Sequence, residues 1–116
     1  MSIEALWAVR FGQAGNPNLG LNGGVVVLES GRMFGGDTFY AYTGSYEMNG
    51  GTVAGQLHAV RHFHQPGTQS AWGTQEPEFD VQFTANPNQD FTVANGTLSK
   101  DGVQLGVRLL RVAELP

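Results

Sequence analysis

The sequence predicts an all-β fold, a small up-and-down antiparallel barrel of about eight strands. Three observations predict it. Apolar and polar residues alternate in short runs, the period of a half-buried strand. Seventeen of the 116 residues are glycine, roughly twice the usual share, and they fall between runs rather than in one linker. No window carries a sustained helical period with capping residues. A chain of this length is most simply one domain, residues 1–116.

The first run, Ala5 to Phe11, puts Ala5, Trp7, Val9 and Phe11 on one face. The second, Leu21 to Glu29, ends in Val25-Val26-Val27-Leu28. A short third run, Arg32 to Phe34, leads to the fourth, Thr38 to Glu47, where Thr38, Tyr40, Tyr42, Gly44 and Tyr46 share a face. The fifth is Thr52 to Phe63, and the sixth is Phe79 to Thr84, with Phe79, Val81 and Phe83 alternating with Asp80 and Gln82. The seventh is Phe91 to Ala94, with Thr97 to Ser99 as its continuation or its hairpin partner. The last, Val103 to Ala113, aligns Val103, Leu105, Val107 and Leu109. Turns are expected at Asn22-Gly23-Gly24, Ser30-Gly31, Gly35-Gly36-Asp37, Asn49-Gly50-Gly51, Asn95-Gly96 and Asp101-Gly102. Asn-Gly and Asp-Gly suit type I′ hairpins, whose central residues need positive φ. Gln65 to Pro77 is the longest gap, and Ser70-Ala71-Trp72 within it suits one helical turn, with Trp72 read as a plug for a core edge ahead of the alternative, a binding residue. Gly20, Gly24, Gly44, Gly55 and Gly106 lie inside runs, as bends or close backbone approaches in a barrel require. A barrel hides the exposed strand edges of such a meander; a sandwich is the alternative.

Composition narrows the function. Charged residues make up only 14% of the chain, against about 25% in a typical soluble protein. The deficit is local: no Asp, Glu, Lys or Arg occurs from Phe11 to Leu28, and Arg61 is the only one from Met48 to Gln75. Part of this surface is therefore expected to pack against a second copy, most simply as a two-fold homodimer. The net charge of −4, with six scattered Lys and Arg, argues against direct nucleic-acid binding, which draws its affinity from basic patches. With no cysteine, there is no disulfide framework or thiolate chemistry. No signal-like N-terminus and no membrane-length apolar run is present, so the expectation is a cytoplasmic protein without membrane insertion.

The stretch Gly20-Leu21-Asn22-Gly23-Gly24-Val25-Val26-Val27-Leu28, continued by Gly31, Gly35-Gly36-Asp37, Tyr40, Tyr42-Thr43-Gly44 and Tyr46, resembles the GrlR family. These are small bacterial proteins named for negative regulators of type III secretion. The resemblance implies an eight-stranded, lipocalin-like barrel that dimerises and is not an enzyme. It also implies a protein partner, a helix-turn-helix transcription activator held partly through an acidic Glu-Asp-Glu-Asp loop. The matching residues here are Glu47, Met48 and Asn49, followed by Gly50-Gly51. They are the partner-contact candidates, but only Glu47 is acidic. One carboxylate steers a basic partner far less than four, so the partner's identity does not carry over. The lipocalin-like shape also leaves room for a small apolar, lipid-like ligand in the barrel or at the dimer seam.

No nucleophile elbow, phosphate loop or dinucleotide fingerprint occurs. No catalytic residue and no cofactor are therefore assigned. Gly35-Gly36-Asp37-Thr38-Phe39 begins like the Gly-Gly-Asp-Glu-Phe of diguanylate cyclases, but Thr38 stands where the second acid belongs. The expected role of Asp37 is to bond local backbone amides. His58, His62 and His64 share parity on one expected strand. Two same-face imidazoles offer a metal two ligands, which is a remote enzymatic alternative to histidines on a wet face. Tyr40, Tyr42 and Tyr46 form a stripe that suits a ligand pocket or an interface, or simple cross-strand packing.

Overall fold

The computed structural model describes residues 2–13 and 22–116. It is all β: β1 (Ala5–Gln13), β2 (Asn22–Glu29), β3 (Arg32–Gly36), β4 (Tyr40–Asn49), β5 (Thr52–Arg61), β6 (Glu78–Pro87), β7 (Val93–Lys100) and β8 (Val103–Ala113). Each strand pairs antiparallel with the next, and β8 returns to β1, closing an eight-stranded barrel. Closure removes the free edges that a meander would leave. No helix among the described residues is long and apolar enough to cross a membrane.

Three hairpins set the register. Glu29 pairs with Arg32, Asn49 with Thr52, and Lys100 with Val103, each across two residues. The central pairs Ser30-Gly31, Gly50-Gly51 and Asp101-Gly102 all have positive φ, the type I′ geometry that matches strand twist. From these turns the period of two decides which side chains enter the barrel. On β6, Val81, Phe83 and Ala85 are buried while Glu78, Asp80 and Gln82 face water. On β1, Ala5, Trp7 and Val9 are buried.

One end of the barrel is filled. Trp7 is fully buried, and its indole N–H donates to the Ile3 carbonyl at 2.9 Å. The Arg111 guanidinium lies 5.6 Å from the Trp7 ring centre. It donates to the carbonyls of Ser2, Phe91 and Glu4 and to the Glu114 carboxylate. Arg111 thereby ties both chain termini and the β6–β7 connection across the closed end.

Four expectations are corrected. The seventh run is continuous, because Asn95-Gly96 is not a turn: Asn95 pairs with Asn86 and Arg108 inside β7. Glycine is needed at position 96 for a different reason, since a Cβ there would lie 1.8 Å from the Thr84 carbonyl oxygen. Asn22-Gly23-Gly24 opens β2, and Gly35-Gly36 closes β3, so the turn into β4 begins at Asp37. The fifth run stops at Arg61 rather than Phe63. There the backbone leaves the β5–β6 ladder, and the His62 and Phe63 amides both bond the Phe39 carbonyl. Finally, Ser70-Ala71-Trp72 forms a tight turn closed from the Gly73 amide to the Ser70 carbonyl, not a helical turn. Leu21 and Gly20 lie outside the described residues.

Candidate ligand-binding site

The opposite end of the barrel holds a cavity of about 270 Å³. Its construction starts at Asp37. Oδ1 of Asp37 accepts the amides of Phe39 and Tyr40 at 2.9 and 2.7 Å, and the Asp37 amide donates to the Tyr40 carbonyl at 2.9 Å. An aspartate in the first position of a tight turn commonly makes these bonds, as the sequence predicts. They fix where β4 begins, and so they fix its parity. Tyr40 and Tyr42 therefore enter the barrel from neighbouring inward positions. The Tyr42 hydroxyl donates to Oδ2 of Asp37. Burial, reinforced by the Asp37 carboxylate, holds the Tyr42 phenol far above its ordinary range. The hydroxyl stays a donor at any physiological pH.

The second part is the strap between β5 and β6, residues 62–77. Its far end is held by the Tyr40 hydroxyl, which donates to the Glu76 carbonyl at 3.0 Å. Glu76 also meets Lys100, whose Nζ lies 2.6 Å from the Glu76 carboxylate and 2.9 Å from that of Asp101. Lys100 is the last residue of β7 and has inward parity, so its stem is buried and its ammonium sits 5.4 Å from the Phe79 ring centre. Hydrogen bonding to Glu76 raises the Lys100 pKa, and the same bond lowers that of Glu76. Midway along the strap, Trp72 packs edge-on against Phe79 at 5.8 Å and reaches the Val103 carbonyl through its indole N–H at 3.4 Å. The buried Ser70 hydroxyl braces this bend through Thr74.

The resulting chamber is floored by barrel residues such as Met33, Leu57 and Val107 and walled by Phe11, Tyr40, Tyr42 and Phe79. Trp72 and Ser70 of the strap also line it. Asp37 is the one charged side chain among the described residues that line it. Apolar walls with a few convergent polar groups are the usual make-up of small-molecule sites.

The sequence candidates are placed as follows. Tyr40 and Tyr42 line the cavity, whereas Tyr46 is buried toward the closed end and does not. Glu47, Met48 and Asn49 are exposed at the β4–β5 hairpin, at the end away from the cavity. His58 faces outward from β5, with Nδ1 2.8 Å from Asp80 and Nε2 3.5 Å from Glu78; the Asp80 bond raises its pKa. His62 and His64 lie beyond the strand, so the shared parity that would join all three histidines is absent. Nε2 of His62 is 3.0 Å from the Asp37 carbonyl, and a carbonyl only accepts, so that nitrogen carries the proton. Among the described residues no three potential ligands gather at a metal-binding distance. Sequence reasoning missed Lys100 and the inward aim of Asp37. Strand parity counted from the Asp101-Gly102 turn was the available signal for Lys100.

No protein-family model matches the chain, and no curated protein does either.

Proposed function

We propose that this protein is a non-enzymatic binding barrel that takes a small, largely apolar ligand in the cavity at one end. One observation carries the reading: a chamber of about 270 Å³ with aromatic walls persists inside an otherwise packed barrel. Interiors normally close to crystal-like density with few voids larger than a water. An apolar cavity of only about 150 Å³ already takes up benzene. A space of this size fits a ligand of one or two rings rather than a long acyl chain. The test is native mass spectrometry of the untagged protein purified gently, beside a Leu57→Trp variant that fills the chamber. Added mass of a few hundred daltons on the wild type, lost in Leu57→Trp, is the expected result. A bare wild type that also takes up no apolar probe overturns the reading.

A second reading is favoured by the outer surface. Leu6, Ala8, Val25, Val27, Phe34, Leu110 and Val112 form an apolar area across β8, β1, β2 and β3. Exposed apolar areas of this kind mark interaction surfaces. It supports a homodimer that meets a protein partner in the cytoplasm, the regulatory role that the GrlR-like residues imply. Glu47, Met48 and Asn49 would then serve the partner while the opposite end of the barrel serves the ligand. Size-exclusion chromatography with mass detection tests it, and a strict monomer that copurifies with no protein counts against it.

A further inference from the structure

We propose that the cavity selects an organic cation, an aromatic or compact alkyl ammonium whose charged head meets Asp37. The inference rests on the cavity reading above and adds the chemistry of its occupant. Three features point the same way.

The first is the isolation of the carboxylate. Asp37 is the single charged lining residue among those described, and it is half-buried. An ionised carboxylate offers about four acceptor positions. The Phe39 and Tyr40 amides and the Tyr42 hydroxyl occupy three of them. By that count one position is left for a donor from a ligand. No lining cation competes for it: Lys100 is bound by Glu76 and Asp101 and does not line the cavity.

The second is the aromatic surround. Phe39, Tyr40, Tyr42, Trp72 and Phe79 line the same cavity. A cation enters a poorly hydrated space only where charge and dipoles replace its water. A carboxylate supplies the charge, and aromatic faces supply a negative quadrupole.

The third is the exclusion of anions. A carboxylate or phosphate head would sit beside the Asp37 carboxylate. The nearby Tyr42 proton cannot serve it, because that proton is already donated to Asp37. Like charges in such a site repel strongly. The net charge of −4 adds a weak field that favours approach of cations.

Isothermal titration calorimetry on the full chain tests this with three probes of nearly one shape: naphthylethylammonium, naphthylethanol and naphthylacetate. The ammonium is expected to bind about tenfold or more tightly than the alcohol, with the acetate weakest. Asp37→Asn keeps Oδ1 as acceptor for the Phe39 and Tyr40 amides. It should bring the ammonium to within about twofold of the alcohol. Tyr42→Phe keeps the charge and should retain the ammonium preference. The outcomes separate the two readings. Alcohol binding as tight as ammonium binding to the wild type, or a preference that survives Asp37→Asn, overturns the cation while leaving the cavity reading in place. Failure of all three probes overturns both. If Asp37→Asn does not fold, the wild-type series together with Tyr42→Phe decides: loss of the preference in Tyr42→Phe overturns the assignment to Asp37.

Discussion

Tyr42 is the residue where folding, charge and the cavity meet. Its hydroxyl donates to a partly buried carboxylate, and a hydrogen bond to a charged group contributes about 1.5–3 kcal/mol. Tyr42→Phe is therefore expected to lose about 1–2 kcal/mol in urea unfolding at neutral pH. The sign of the pH dependence follows from linkage. Burial raises the folded pKa above the ordinary 10.0, while the unfolded tyrosine titrates near that value. Below pH 10 the phenol is neutral in both states, and its contribution is intact. Above it, the unfolded chain sheds a proton that the folded chain keeps, so stability falls with rising pH. Wild-type protein should lose stability steeply above pH 10, and Tyr42→Phe should flatten that loss. An identical slope in the variant would show that Tyr42 does not titrate against folding.

At the scale of the element, two strands and the strap show what the sequence discloses and what closure adds. The turns at Ser30-Gly31, Gly50-Gly51 and Asp101-Gly102 are legible because positive φ is a local demand. Asn95-Gly96 carries the same local signal yet lies in mid-strand, because the glycine is demanded by the Thr84 carbonyl of the neighbouring strand. No local pattern encodes that contact. Gly96→Ala is expected to cost about 3 kcal/mol or more, since backbone on the adjacent strand must move. A melting temperature within a few degrees of wild type would refute it. Similarly, a lysine at a strand end reads as solvated; its parity with Leu98 aims it inward, but only the folded barrel shows that Lys100 holds Glu76. The pair latches the strap. Glu76 has a lowered pKa, so its contribution is present above the ordinary carboxylate value of 4.5 and fades as pH falls through the folded value. Glu76→Gln should lower the protection of the Ser70 and Gly73 amides against hydrogen exchange at neutral pH, and acidification should lower it in the wild type once each rate is divided by the intrinsic rate at that pH. Equal exchange in variant and wild type would mean that the Trp72 and Tyr40 contacts alone hold the strap.

The described residues form three distinct faces: a sealed end under Trp7 and Arg111, an end that holds the cavity, and an apolar flank. On the flank, Leu6 pairs with Val27 and Val27 with Phe34, while Leu110 pairs with Ala8 and Ala8 with Val25. Rows of outward apolar side chains thus run unbroken across neighbouring strands. Phe34 is 43% exposed and Val112 57% exposed, a poor arrangement for water contact. The run from Phe11 to Leu28 without a charge contributes β2 to this flank. Stable interfaces bury about 800 Å² per partner, and a two-fold axis on this flank would pair each apolar row with its own copy. On that reading the protein sediments as a dimer at micromolar concentration. Phe34→Glu places a carboxylate on the β3 side of the contact, where desolvating an unpaired charge is costly. It should give a folded monomer with an unchanged near-ultraviolet spectrum. Because the flank lies on the outer face of the barrel wall, ligand uptake at the cavity end should survive in that monomer. Dimerisation and ligand binding lost together would instead place the subunit contact at the cavity end.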